Sequence, residues 1–128
     1  MGYYDSSGNI RSELLDKEAG KRAKEFVRVS RQDKPLTSAQ LRRFFGEFRS
    51  LEKKVNLAGF EKVKPLIKMV KSKASYAANP NNRKIPDTFK EFLISNVDQI
   101  NDEKDFKAFM LHFEAVVGFC YGLGMRNN

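Results

Sequence analysis

The chain has 128 residues with 24 Lys and Arg against 16 Asp and Glu, a formal charge of +8, one His and one Cys. That length suits one domain that buries roughly two thirds of its unfolded surface without covalent staples. The lone cysteine excludes an internal disulfide framework and fits a reducing cytoplasm, while no apolar run approaches the ~20 residues needed to span a membrane.

The charge is uneven. Residues 1–59 hold 13 basic and 8 acidic residues, residues 60–84 hold 7 and 1, and residues 85–128 hold 4 and 7. A basic first two thirds and an acidic end predict a cationic surface for a polyanion, and complementary ends that could meet in self-assembly.

Residues 1–11 read as a flexible lead-in rich in Gly, Ser and Asn, without the apolar stretch of a signal peptide. Gly2 with Ser6 meets only the loosest form of a myristoylation pattern. The spacing of Leu14, Leu15, Ala19, Ala23, Phe26 and Val27 predicts a helix over 12–30, peripheral or exchangeable because its apolar stripe is thin and Gly20 weakens it. Ser30 to Pro35 is a loop long enough to swing.

Residues 37–55 are the most legible stretch. Thr37 with Gln40 makes a capping box, and Leu36 with Leu41 a hydrophobic staple. Leu41, Phe44, Phe45, Phe48, Leu51 and Val55 recur at helical spacing as a core face. Arg42, Gly46, Arg49 and Lys53 fall together on another face. Gly59 closes this helix as a left-handed cap. Val63, Leu66, Ile67, Val70, Ala74 and Ala77 mark the next, placed at about 64–78 so that Pro65 lies in its first turn, with room for a preceding turn at 60–63. Lys64, Lys68 and Lys71 share one of its sides, and Lys73 and Tyr76 flank the apolar stripe on the other.

Residues 79–84 are a loop by composition. Pro86 and Asp87 open a fourth helix with Phe89, Phe92, Leu93, Val97 and Ile100 as its core face. Asn101 or Asp102 caps a fifth, whose core face is Phe106, Phe109, Met110, Phe113, Val117 and Cys120, ended by Gly122 and Gly124. No strand or hairpin signal is present. The expected fold is all-α: a single-domain bundle of about five helices over 12–124, with 125–128 as a tail.

Catalytic chemistry finds little support, and no cofactor is implied. His112 stands alone on a helix flank, with no second His or Cys at metal-ligand spacing. Asp102, Glu103 and Asp105 sit in a helix first turn, where carboxylates complement the dipole. A metal-dependent ribonuclease built on Asp102 and Asp105 is the weakest of three functional readings. Cys120 reads as a small buried hydrophobe. The 11 phenylalanines read as core, and Tyr76 is the aromatic most open to contact with a base. The positive signal is phosphate binding: Arg42, Arg43, Arg49 and Lys53 on one helix, Lys64, Lys68, Lys71 and Lys73 on the next, and Arg83 and Lys84 in the following loop. Such cations give sequence-independent affinity that falls with salt. The rival is an assembly adaptor whose contacts with nucleic acid are incidental.

Thr37-x-x-Gln40-Leu41-Arg42-Arg43-Phe44-Phe45 resembles the N-terminal signature of the small helical subunit of type III-A CRISPR–Cas effector (Csm) complexes. Lys71-x-Lys73-x-x-Tyr76-Ala77 resembles that family's central basic motif, and Phe106-x-x-Phe109 with Phe113-Glu114-Ala115-Val116-Val117-x-Phe119 its C-terminal signature. The three run in family order over about residues 36–121. Asn79-Pro80-Asn81-Asn82 separates the Tyr-Ala pair from the next basic residue, Arg83. The resemblance implies a non-catalytic, cytoplasmic antiviral subunit. Its implied partners are target RNA and the guide RNA–target duplex, other subunits of the effector complex and neighbouring copies of itself, with no membrane. Delegating sequence to guide pairing leaves such a protein only backbone contacts to make.

Overall fold

The computed structural model describes residues 2–28 and 34–125. Its five α-helices are α1 (Lys17–Val27), α2 (Ser38–Ala58), α3 (Phe60–Ala77), α4 (Asp87–Gln99) and α5 (Glu103–Gly122). A 3-10 turn, Ser12–Leu15, precedes α1. Among the described residues there is no strand, only an isolated bridge between Tyr4 and Ile10. The all-α bundle expected from periodicity is therefore what forms. α3 lies between α2 and α4, and α5 closes the bundle against α1 and α2.

Thr37 caps α2, its hydroxyl accepting from the Gln40 amide at 3.2 Å. Leu36 and Leu41 are both buried, as the staple requires. The reciprocal half of the capping box is not made, because Gln40 Oε1 is buried without a partner among the described residues. Gly59 is the entire connection between α2 and α3, at φ 93° and ψ 150°. That is not the left-handed helical cap expected, but an extended positive-φ conformation that only glycine adopts cheaply.

α3 begins at Phe60 rather than near 64, so Pro65 lies inside it. An interior proline costs about 3 kcal/mol. Phe60 and Val63 are both buried, and burying side chains of that size returns roughly 1.5–3 kcal/mol each, which offsets the loss. The expected helix at 12–30 is divided. Asp16, at φ −132° and ψ −101°, separates the 3-10 turn from α1, and residues 29–33 lie outside the described residues.

α1 is central rather than peripheral. Phe26 is fully buried, with its ring 5.1 Å from Phe89 and 5.3 Å from Phe92 in edge-to-face contact. Phe48, Phe109 and Phe113 continue this aromatic core, Phe48 lying 4.9 Å from Phe109. Edge-to-face pairs of this kind add about 0.5–1.5 kcal/mol beyond their burial.

The described part of the expected lead-in is fastened to the bundle. Tyr3 is 3% exposed, and its hydroxyl donates to Asn96 Oδ1 at 2.9 Å. The Tyr4 hydroxyl donates to the Lys104 carbonyl at 2.6 Å. Composition misses these anchors because two tyrosines suffice to hold a segment otherwise made of turn formers. The tail beyond Met125 lies outside the described residues.

Candidate nucleic-acid interface

The polar face of α2 carries Arg42, Arg43, Arg49 and Lys53, with Gly46 exposed among them. Arg43 lies over the Phe44 ring, 5.6 Å from its centroid. Arg49 turns toward α5: its guanidinium meets Glu114 at 2.6 Å and Glu52 at 2.9 Å, and stacks on Phe45 at 4.8 Å. The Glu52 and Glu114 carboxylates hold its pKa above the ordinary arginine value. Arg42 Nε approaches the Ser38 carbonyl at 3.4 Å. Lys53 is exposed, with no hydrogen-bond or ion-pair partner among the described residues.

On α3, Lys68 does something its spacing does not reveal. Its ammonium donates to the carbonyls of Val97 and Ile100, both at 2.7 Å. These carbonyls lie at the C-terminal end of α4, where the Ile100 amide also donates to Val97 at 3.1 Å, and a cation there meets the negative end of the helix dipole. Partial burial, with Lys64 and Lys71 nearby, lowers its pKa. Lys71 pairs with Asp98 of α4 at 2.6 Å. Lys73 pairs with Glu47 of α2. Lys64, like Lys53, has no partner among the described residues.

The two basic stripes do not form one continuous flank. Arg49 faces α5, whereas Lys68 and Lys71 face α4. The fold instead brings cations together where α2 begins and α3 ends. The Glu47–Lys73 contact sets the antiparallel register, so Arg43, one turn earlier on α2, comes abreast of Tyr76, one turn later on α3. Tyr76 is 69% exposed. Arg83 and Lys84 follow in the α3–α4 loop, which folds back through the Lys84 amide to the Ala77 carbonyl at 2.7 Å. Arg83 pairs with Asp87 at 2.9 Å, and its carbonyl accepts from Lys34 at 3.3 Å. Lys34 thus joins this end of the bundle. Sequence reasoning passed over it because it stands alone between Asp33 and Pro35.

The acidic run has an architectural role. Asp102 Oδ1 accepts from the Asp105 amide at 2.8 Å, and Asp105 Oδ2 accepts from the Asn101 amide at 3.0 Å, which closes the N-terminus of α5. No group of three His, Cys, Asp or Glu among the described residues is placed to hold a metal. Cys120 is buried as expected, and burial pushes its thiol up to about 12. His112, on the flank of α5, is 4% exposed, with Nδ1 2.5 Å from the Leu14 carbonyl.

A basic, all-helical chain of this length is of the class of small helical-bundle proteins. The sequence profile of the Csm2 Type III-A family matches residues 11–121, nearly the whole chain, so the protein belongs to the Csm2 family, small subunits of the type III-A CRISPR effector complex. No curated protein and no solved structure matches significantly. None of the described helices is long and apolar enough to cross a membrane.

Proposed function

We propose that this subunit is non-catalytic and cytoplasmic, and that it positions target RNA by sequence-independent contacts with phosphates. The observation that carries this is Tyr76, 69% exposed at the end of α3, with Lys84 in the loop that folds back onto Ala77 and Arg43 exposed near the start of α2. Lys53 on α2 and Lys64 on the Lys68 side of α3, both without partners among the described residues, add uncommitted cations along these two helices. Arg42, Arg49, Lys71 and Lys73 serve as a second rank, reached only when a phosphate displaces a carboxylate or other polar partner. Exposed ion pairs are worth about 0–1 kcal/mol, so such exchange is cheap. Lys68 contributes charge to the surface while its ammonium closes α4. The guide–target duplex, the other effector subunits and neighbouring copies of this chain are the partners in which this surface operates.

A second reading, an assembly adaptor, is favoured by Leu57, 89% exposed at the α2–α3 turn, and by Leu66 and Met69 on the outer face of α3. Tyr76→Ala and Arg43→Gln separate the two. The RNA reading expects Tyr76→Ala to weaken binding of single-stranded RNA by about 1–3 kcal/mol, the range for loss of one stacked base, with thermal stability unchanged. RNA affinity unchanged in both variants, with assembly lost instead in Leu57→Ser, would establish the adaptor.

A further inference from the structure

A recess of about 150 Å³ lies between the N-terminal segment, α1, α4 and α5, with His112 among its walls. It shares no residue with the surface assigned to RNA. His112 is buried, and Nδ1 is committed to the Leu14 carbonyl. Since a carbonyl only accepts, Nδ1 carries a proton and donates. The other ring nitrogen, Nε2, has no partner among the described residues. Nor is it one of the sealed polar atoms lacking a partner, which are Gln40 Oε1 and Thr88 Oγ1. Nε2 therefore opens onto the recess.

The charges around it are lopsided. Arg11, Lys21 and Arg22 line the recess against one acid, Glu18. That acid is already taken, with both its oxygens within 3.3 Å of Arg11 Nη2. Lys21 is exposed and has no partner among the described residues. Arg22 spends one nitrogen on Glu25, at 3.1 Å, which leaves the rest of its planar fork available. The α4 wall offers only the uncharged Ser95, Asn96 and Gln99, and Asn96 is engaged by Tyr3. A volume of this size admits several waters or one small oxyanion.

We propose that this recess binds a tetrahedral oxyanion, the phosphate of a small phosphomonoester, gripped by Lys21 and Arg22 with His112 Nε2 behind it. With Nδ1–H fixed, Nε2 can donate to an anion only as the imidazolium, so occupancy takes up one proton at His112. The site would then be filled more readily at lower pH.

The chain's only histidine gives a single Cε1–H resonance in the intact protein. Sodium sulfate is the first probe, against sodium chloride at matched ionic strength, because sulfate keeps its charge while His112 titrates. The expected result is a saturable shift of that resonance and a rise of roughly one unit in its pKa. Inorganic phosphate should reproduce the shift, and Lys21→Gln with Arg22→Gln should weaken binding about tenfold or more. The double variant's circular dichroism and thermal midpoint in chloride should match the parent's, showing an intact fold. A non-saturating drift shared by chloride, or a response unaffected by the double variant, would overturn the site. A response to sulfate and not to phosphate would mark an adventitious ion only. A larger shift with single-stranded RNA than with phosphate would overturn the assignment to a small ligand.

Discussion

At the scale of single residues, His112 sets a pH dependence. Burial, the largest influence, lowers its pKa below the ordinary 6.5, and the bond to Leu14 opposes that only in part. With no oxyanion present the unfolded chain therefore takes up a proton at higher pH than the folded chain, and folding loses free energy as pH falls below about 6.5. The loss stops growing once pH passes the depressed folded value. Urea midpoints should drop between pH 7.5 and 5.5, and His112→Asn, whose amide can still donate to Leu14, should flatten that decline. An equal decline in both proteins would assign it to other groups. Spacing along α5 put His112 on a flank, which is correct for the helix taken alone. What hides it is the 3-10 turn of Leu14, 98 residues away, and periodicity within one element carries no information about what covers its flank. Cys120 was legible because it lies on the face that any neighbour must cover.

Among the elements, α3 and α4 are joined by more than apolar contact, and Lys68 is the clearest case. Lys68→Met keeps the stem's apolar packing and removes the donor to two carbonyls, so it should cost about 1–3 kcal/mol of folding stability. Lys64→Met, on the same side of α3 and without a partner among the described residues, should cost almost nothing. Equal effects of the two would contradict the capping role. Charge reversal at Lys68 therefore mixes binding with stability, and Lys53 and Lys64 are the cleaner probes of RNA contact. From sequence Lys64, Lys68 and Lys71 look alike, since each is a cation at the same helical phase. Their difference arises from α4 residues 27 to 32 positions away. The helices themselves were legible, because five amphipathic stretches each bury one apolar stripe. Boundaries failed where a tertiary contact overrode a local rule, as when the burial of Phe60 and Val63 carried α3 back past Pro65.

For the whole molecule, the charge of +8 overstates the cations that are free. Arg49, Lys71, Lys73 and Arg83 each hold a carboxylate of this same chain. Composition shows the excess and cannot show the pairing, so the candidate site was legible as a set of helices and illegible as a ranking of residues. On α2 and α3, uncommitted charge among the described residues lies at Lys53 and Lys64 and at the end marked by Arg43 and Tyr76. The most direct measurement is binding of the intact chain to an unrelated single-stranded RNA across a salt titration. Contact with three or more phosphates predicts a slope of log K against log salt steeper than about −2, at roughly 0.7 per phosphate, the same for RNAs of different sequence. A flat slope, or no binding at low salt, would contradict a phosphate-tracking subunit.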